Sequence, residues 1–168
     1  MTISMYQASV PVFSGVLKNL SHVLSKGEAF AAENGIDPAD LLAARLAPDM
    51  LPLTKQVQIA TDHAKGAAAR LAGKEILKID DTEASFADLQ ARIARVREHL
   101  QSYKPEEIDG SEERPILIKA GALELSFTGQ QYLLAYAMGN FYFHVVTAYD
   151  ILRHKGAPLG KGVFFGRG

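Results

Sequence analysis

The sequence contains no cysteine and no tryptophan among its 168 residues. Without cysteine, the protein has no disulfide framework, zinc–thiolate site, iron–sulfur cluster or thiol nucleophile. An excess of one charge is also missing, because 18 basic residues stand against 19 acidic ones and the net charge is −1. This balance argues against a nucleic-acid partner and against electrostatic attraction to an acidic membrane.

The sequence also has no apolar run near the roughly 20 residues that a membrane-spanning helix requires. Its first residues, 1–6, show neither the basic start nor the apolar stretch of a signal peptide. We therefore expect a cytoplasmic protein that does not associate with membranes. The 168 residues fit a single domain over 1–168, because domains usually have about 100–200 residues.

Apolar residues recur at steps of three and four along several long segments, a spacing that predicts amphipathic helices. Gly35 and Gly73 follow two of these segments, and glycine often ends a helix. Asp37-Pro38 predicts a short extra helix over 39–47, because a capping aspartate followed by proline is a typical helix start. The long predicted helices are 9–35, about 53–72, 85–105 and 128–156.

Residues 116–127 follow a different pattern. Apolar and polar residues alternate from Leu123 to Phe127, as in a half-buried strand. Ala120-Gly121-Ala122 predicts a turn, so we expect a small β-hairpin that packs against the helices. Together these segments predict a mainly α fold, an up-and-down four-helix bundle with a short extra helix and a small β-hairpin before the last long helix.

The five histidines are the first candidates for metal binding or acid–base chemistry in a chain without cysteine. At about 100° per residue, His144 points toward the bundle interior and His63 lies at the boundary of that interior. These two side chains are the pair that could meet. The same geometry places His22 in solvent and His99 at the flank of the apolar stripe of its helix. His154 falls in the last turn of a helix.

Two polar neighbours extend this pair to a candidate metal site. Asn140 precedes His144 by one helical turn, so both side chains share a flank of the last helix. Asp62 adjoins His63, although its position in the helix predicts a surface carboxylate. The candidate ligands for zinc or nickel are therefore His144, His63, Asn140 and Asp62.

Both histidines also have a purely structural interpretation. His144 would then be a core residue hydrogen-bonded to a tyrosine or a backbone carbonyl, and His63 a partly exposed boundary residue. Asparagine favours this alternative at position 140, because an amide oxygen is a poorer ligand for zinc or nickel than an imidazole nitrogen.

The last predicted helix is apolar around most of its circumference. Tyr132, Tyr136 and Phe143 lie on a different face from the main apolar stripe. Either the hairpin and the C-terminal tail cover this second face, or a second subunit does. We expect a homodimer to which the last helix contributes, with closure inside one chain as the alternative.

Three stretches of the chain resemble the signatures of one family when they are taken in order. The C-terminal stretch is Gly139-Asn140-Phe141-Tyr142-Phe143-His144 and its continuation to 156, followed by Leu159-Gly160-Lys161. The earlier stretches are 56–62 with 70–73, and 86–93. They resemble the domain-of-unknown-function family numbered nineteen ninety-three, and the likeness covers nearly the whole chain.

This resemblance implies membership of the DinB-like, YfiT-like superfamily of helical bundles. Many relatives there carry a metal site of three histidines, many are dimers, and some are metal-dependent thiol transferases. The resemblance would place His63 at the second-helix ligand position and His144 at one of the last-helix positions. Asn140 stands where the other histidine would be.

Two functional hypotheses follow from the sequence. The first is a bundle protein with a divalent-metal or small-molecule site between the second and last long helices. The second is a non-enzymatic, dimeric binding or stress-associated protein without a metal. The family has no assigned activity, so the resemblance leaves open whether the protein is an enzyme.

Overall fold

The computed structural model describes residues 2–121 and 123–167. It confirms the predicted mainly α fold, a four-helix bundle with a short extra helix and a small hairpin. The four long helices are α1 (Met5–Asn34), α3 (Leu53–Ala72), α4 (Phe86–Gln101) and α7 (Met138–His154). Helix α3 packs against α7 and α4, and α1 packs against α4, α3 and α7.

Shorter elements join the long helices. The helical ones are α2 (Pro38–Leu42), α5 (Pro105–Ile108), α6 (Gly129–Gln131), a π-helical segment (Tyr132–Ala137) and α8 (Lys161–Phe164). The predicted hairpin is confirmed as antiparallel strands β1 (Ile116–Ala120) and β2 (Leu123–Phe127), with Ile116 opposite Phe127. Ala122 of the predicted turn lies outside the described residues.

Helix α1 starts at Met5, so the predicted start at Ser9 was wrong. The Ser4 side chain accepts a hydrogen bond from the Gln7 amide, and the Gln7 side chain accepts one from the Ser4 amide. This reciprocal capping box stabilises an earlier start. Pro11 therefore lies inside the helix and does not mark its beginning.

The ends of α1 and α3 lie where the sequence predicts them. Gly35 and Gly73 have left-handed backbones with φ of 64° and 65°, which side chains with a Cβ rarely adopt. Two other predicted ends were too late, because the short helix stops at Leu42 and α4 stops at Gln101. Pro105 starts the separate helix α5.

The core lies between the four long helices and extends under the hairpin. Phe13 of α1 meets Phe141 of α7 edge to face with ring centroids 4.9 Å apart. Ile116 and Ile118 bury their side chains from β1, as expected for a hairpin packed on the bundle. No helix in the described part of the chain is both long and apolar enough to cross a membrane.

The π-helical segment changes the faces predicted for the last helix. Hydrogen bonds from residue i to i+5 widen this turn, so the side chains that follow are rotated relative to a regular α-helix. Tyr132 is fully buried, whereas Leu134, which the regular spacing placed inside, is 54% exposed. The hairpin supplies part of the predicted cover, because Phe127 contacts the rings of Tyr132 and Tyr136.

Candidate functional site

His63 and His144 meet where α3 packs against α7. Their imidazole rings stack with centroids 6.0 Å apart and an angle of 14° between the planes. Both side chains are half-buried. The structure therefore brings together the two histidines that their helical positions had selected, and we call them the histidine pair.

Gln56 fixes the orientation and the tautomer of His144. The Gln56 amide nitrogen donates to the Leu51 carbonyl at 2.9 Å, so its oxygen faces the imidazole. His144 Nδ1 lies 2.7 Å from that oxygen and therefore carries the proton that it donates. Burial lowers the pKa of His144, which keeps the ring neutral. Nε2 is consequently unprotonated and can accept a proton or a metal ion.

The sequence analysis missed Gln56, although a signal was present. Gln56 stands three residues after Leu53 and four before Ala60, on the apolar stripe of α3. A polar residue at a buried helical position needs a hydrogen-bond partner inside the protein. The position of Gln56 therefore predicted a buried hydrogen bond. It did not identify His144 as the partner.

His63 is held in its neutral form. Burial has the largest effect on its pKa, and the neighbouring His144 and Arg70 add to it, so the pKa falls to about 4. Asp62 acts in the opposite direction but does not outweigh them. The ring of Tyr136 lies against His63 with centroids 5.9 Å apart. The histidine pair therefore offers two uncharged imidazoles at neutral pH.

The other two predicted ligands have different partners. Asp62 accepts a hydrogen bond from Arg92 at 2.8 Å and forms an ion pair with Lys65 at 2.9 Å. The Asn140 amide donates to the Tyr136 carbonyl of its own helix at 2.8 Å. Within residues 2–121 and 123–167, no group of three or more His, Cys, Asp or Glu is placed to hold a metal ion.

Arg92 explains the position of Asp62. Its side chain is 1% exposed and forms ion pairs with Asp62, Asp81 and Glu83 at 2.8–3.0 Å. It also donates to the Thr61 hydroxyl at 2.7 Å. We call these residues the Arg92 cluster, which joins α4, α3 and the segment between them. The sequence analysis did not identify it.

A small cavity opens beside His63. Its volume is about 140 Å³, and we call it the side cavity. Strand β1 contributes one wall and α3 another, so the hairpin helps to form it. The residues that line it are Asp62, His63, Arg70, Ile118 and Tyr136.

The remaining histidines lie outside this site. His99 contacts the Tyr103 hydroxyl at 3.3 Å, and His154 is exposed near the end of α7. His22 is half-buried, although its helical position had predicted full exposure.

The fold defines the class of the protein as a DinB-like helical bundle. It resembles the crystal structure of a DinB family member from Shewanella denitrificans with a TM-score of 0.86 and 39% sequence identity, over 97% of this chain and 92% of that chain. A family model described as a domain of unknown function (DUF1993) matches residues 5–165. The chain belongs to this family. No curated protein matches it.

Proposed function

We propose that the histidine pair binds a divalent metal ion such as zinc or nickel, with open positions for water or a small molecule. The site lies between α3 and α7. The observation that carries this proposal is the 2.7 Å hydrogen bond between His144 Nδ1 and Gln56. It leaves Nε2 of His144 unprotonated beside a second neutral imidazole, that of His63.

Two uncharged imidazoles are the kind of donor that zinc and nickel prefer. Histidines that bind metals usually donate their other ring N–H to an oxygen atom, which is the part that Gln56 plays for His144. The donors present do not fit a centre of three histidines, because asparagine occupies position 140. Asn140 and Asp62 are the candidates for a further ligand.

A bound divalent ion with open positions would polarise a carbonyl group or lower the pKa of a bound water molecule. The chain's own residues prepare the site for it. Gln56 holds the tautomer of His144, burial keeps both imidazoles uncharged, and Tyr136 shields one side of His63 from solvent.

The second candidate function is a dimeric binding protein without a metal. It is favoured by apolar side chains that α7 leaves in solvent, including Phe143 at 56% and Val146 at 40% exposure. In that case His144 and Gln56 only satisfy each other inside the bundle. For either function we propose a cytoplasmic protein that forms a homodimer.

Calorimetric titration of protein purified without a histidine tag tests the metal site. We expect saturable binding of zinc or nickel by the wild type and loss of most of the affinity in His63→Ala and His144→Ala. Gln56→Leu should weaken binding by about 10–100-fold, because it removes the oxygen that orients His144. Manganese serves as the comparison, since imidazole ligands favour it less.

His154→Ala is the matched control, because His154 is exposed on the same helix as His144. Thermal denaturation of each variant is measured in parallel. His144→Ala should lose about 1–3 kcal/mol of stability, because Gln56 is left without its partner. Binding no tighter than millimolar in the wild type, unchanged in both histidine variants, would exclude the metal function.

A further inference from the structure

Arg70 is a cation near the end of α3. Among the described residues, no acidic side chain forms an ion pair with its guanidinium group. Its hydrogen bond to a described residue runs from Nη1 to the Tyr132 hydroxyl at 3.1 Å. A guanidinium group has five N–H donors. Most of the donors of Arg70 are therefore available to a ligand.

The position of this guanidinium group depends on a glycine one helical turn earlier. A Cβ atom at Gly66 would lie 2.6 Å from Arg70 Nη1, closer than such atoms approach each other. The guanidinium carbon also lies 5.7 Å from the ring centroid of Tyr132. Because Gly66 has no side chain, the guanidinium group has room there. Its contact with the buried Tyr132 ring keeps Arg70 on the wall of the side cavity.

The size of the side cavity limits what can bind there. Its volume of about 140 Å³ is close to that of a cavity of about 150 Å³ that holds one benzene molecule. A small organic acid with a few carbon atoms fits such a space. Ile118 offers an apolar wall to the carbon atoms, while Arg70 faces the charged end.

The charges around the side cavity favour an anion with one negative charge. Arg70 supplies one positive charge, and its planar group matches a carboxylate through two parallel hydrogen bonds. Asp62 borders the same cavity, and its charge is already balanced by Arg92 and Lys65. A phosphate dianion would meet the Asp62 carboxylate, whereas a monocarboxylate faces less repulsion.

We propose that Arg70 binds the carboxylate group of a small organic acid in the side cavity, beside His63. This inference rests on the proposed ligand site, since it names the class of molecule that would occupy the open positions there. The carboxylate would lie against Arg70, and the carbon chain along Ile118 would bring the next functional group toward the histidine pair.

Titration of the metal-free protein with acetate, followed by NMR of the arginine and histidine side chains, tests this inference. We expect saturable shifts at Arg70 and His63, no response to the neutral isostere acetamide, and weaker binding of inorganic phosphate. Arg70→Met should lose about tenfold or more in acetate affinity, because charged hydrogen bonds disappear. Arg70→Lys should restore part of it through charge alone.

Arg95→Met is the matched control, because Arg95 is an exposed arginine on α4, outside the residues that line the side cavity. Gly66→Ala should weaken acetate binding through the displaced guanidinium group, with a melting curve to show that the variant folds. Equal affinity in Arg70→Met and the wild type, or equal responses to acetate and acetamide, would overturn the inference. Because a chelator is present throughout, acetate binding is measured independently of any metal.

Discussion

Among single residues, His63 shows most directly how burial changes chemistry. An exposed imidazole is charged below a pH of about 6.5, yet the pKa of His63 is lowered to about 4. Removal from water is the main cause, and the positive charges of a protonated His144 and of Arg70 act in the same direction. The same residue would bind a proton more readily in the unfolded chain than in the bundle.

This difference predicts a loss of stability in mild acid. The folded pKa lies below the unfolded one, so the contribution of His63 is complete above about pH 6.5 and is lost as the pH falls toward 4. At about 1.4 kcal/mol per pKa unit, the loss reaches up to about 3 kcal/mol. Denaturant unfolding between pH 4 and 7 measures it, and NMR titration of the His63 ring measures the pKa.

His144→Ala provides the comparison for that titration. Its removal takes away one positive neighbour and opens the site to water, so the pKa of His63 should rise toward its ordinary value. A pKa of His63 near 6.5 in the wild type would contradict the buried, stacked arrangement of the histidine pair.

At the scale of secondary-structure elements, the Arg92 cluster attaches an irregular segment to the bundle. Residues 74–85 connect α3 to α4 without forming a helix or strand. Asp81 and Glu83 from this segment both pair with the buried Arg92. Burial alone would raise the pKa of Glu83, but hydrogen bonds from Arg92 and Gln58 outweigh it and lower the pKa.

Arg92→Met should therefore destabilise the protein by about 3–5 kcal/mol, because it leaves the buried Glu83 carboxylate without a charged partner. Asp62 and Asp81 keep their ion pairs with Lys65 and Lys55. Hydrogen exchange should show faster opening of residues 74–85 than of α7. Arg95→Met, an exposed substitution on the same helix, should change the free energy of unfolding by less than about 0.5 kcal/mol.

The pH dependence gives a second measure of the Arg92 cluster. The pKa of Glu83 and that of Asp81 lie below their ordinary values. Their contribution to stability is therefore present above the unfolded pKa of about 4 and is lost as the pH falls further. Arg92→Met should remove the part of this acid dependence that comes from Glu83, whereas Lys55 continues to lower the pKa of Asp81. An unchanged profile would show that the cluster does not stabilise the fold.

At the scale of the whole molecule, the main feature is an apolar surface on α7 that a single chain leaves exposed to solvent. Phe143 and Val146 are 56% and 40% exposed, and Phe165 of the tail is 55% exposed. Val146 and Phe165 line one shallow apolar depression of about 260 Å³. A twofold contact over this surface would let each subunit cover the other.

Light scattering at micromolar concentration should therefore give a mass near twice the 18.2 kDa of the chain. A specific dimer buries about 800 Å² on each partner. The double substitution Phe143→Glu and Val146→Glu should produce a monomer with little change in melting temperature, because both side chains are exposed. Leu46→Glu, at an exposed apolar residue between α2 and α3, is the control.

A wild-type mass near 18.2 kDa would show that α7 stays uncovered in solution. The dimer would then be wrong, and the metal and carboxylate proposals would stand, since neither uses Phe143 or Val146 as a ligand.

Local chemistry accounts for the parts of the fold that could be predicted. The helix ends at Gly35 and Gly73 depend on backbone conformations that glycine adopts most easily, so neighbouring residues suffice to place them. The hairpin follows from alternation and a turn. The start of α1 and the π-helical segment were missed, because competing local signals and a change of helical period decide them.

The candidate site likewise has one part that the sequence predicts and one part that only the tertiary structure shows. The sequence by itself determined that His63 and His144 lie near the interior of two helices, because helical periodicity orients each side chain. Only the tertiary structure decided that Gln56, 88 residues before His144, orients that ring, and that Arg92 binds Asp62. It also placed Arg70 beside Ile118 of the hairpin. These contacts join distant segments, and packing, which sequence periodicity does not encode, brings them together.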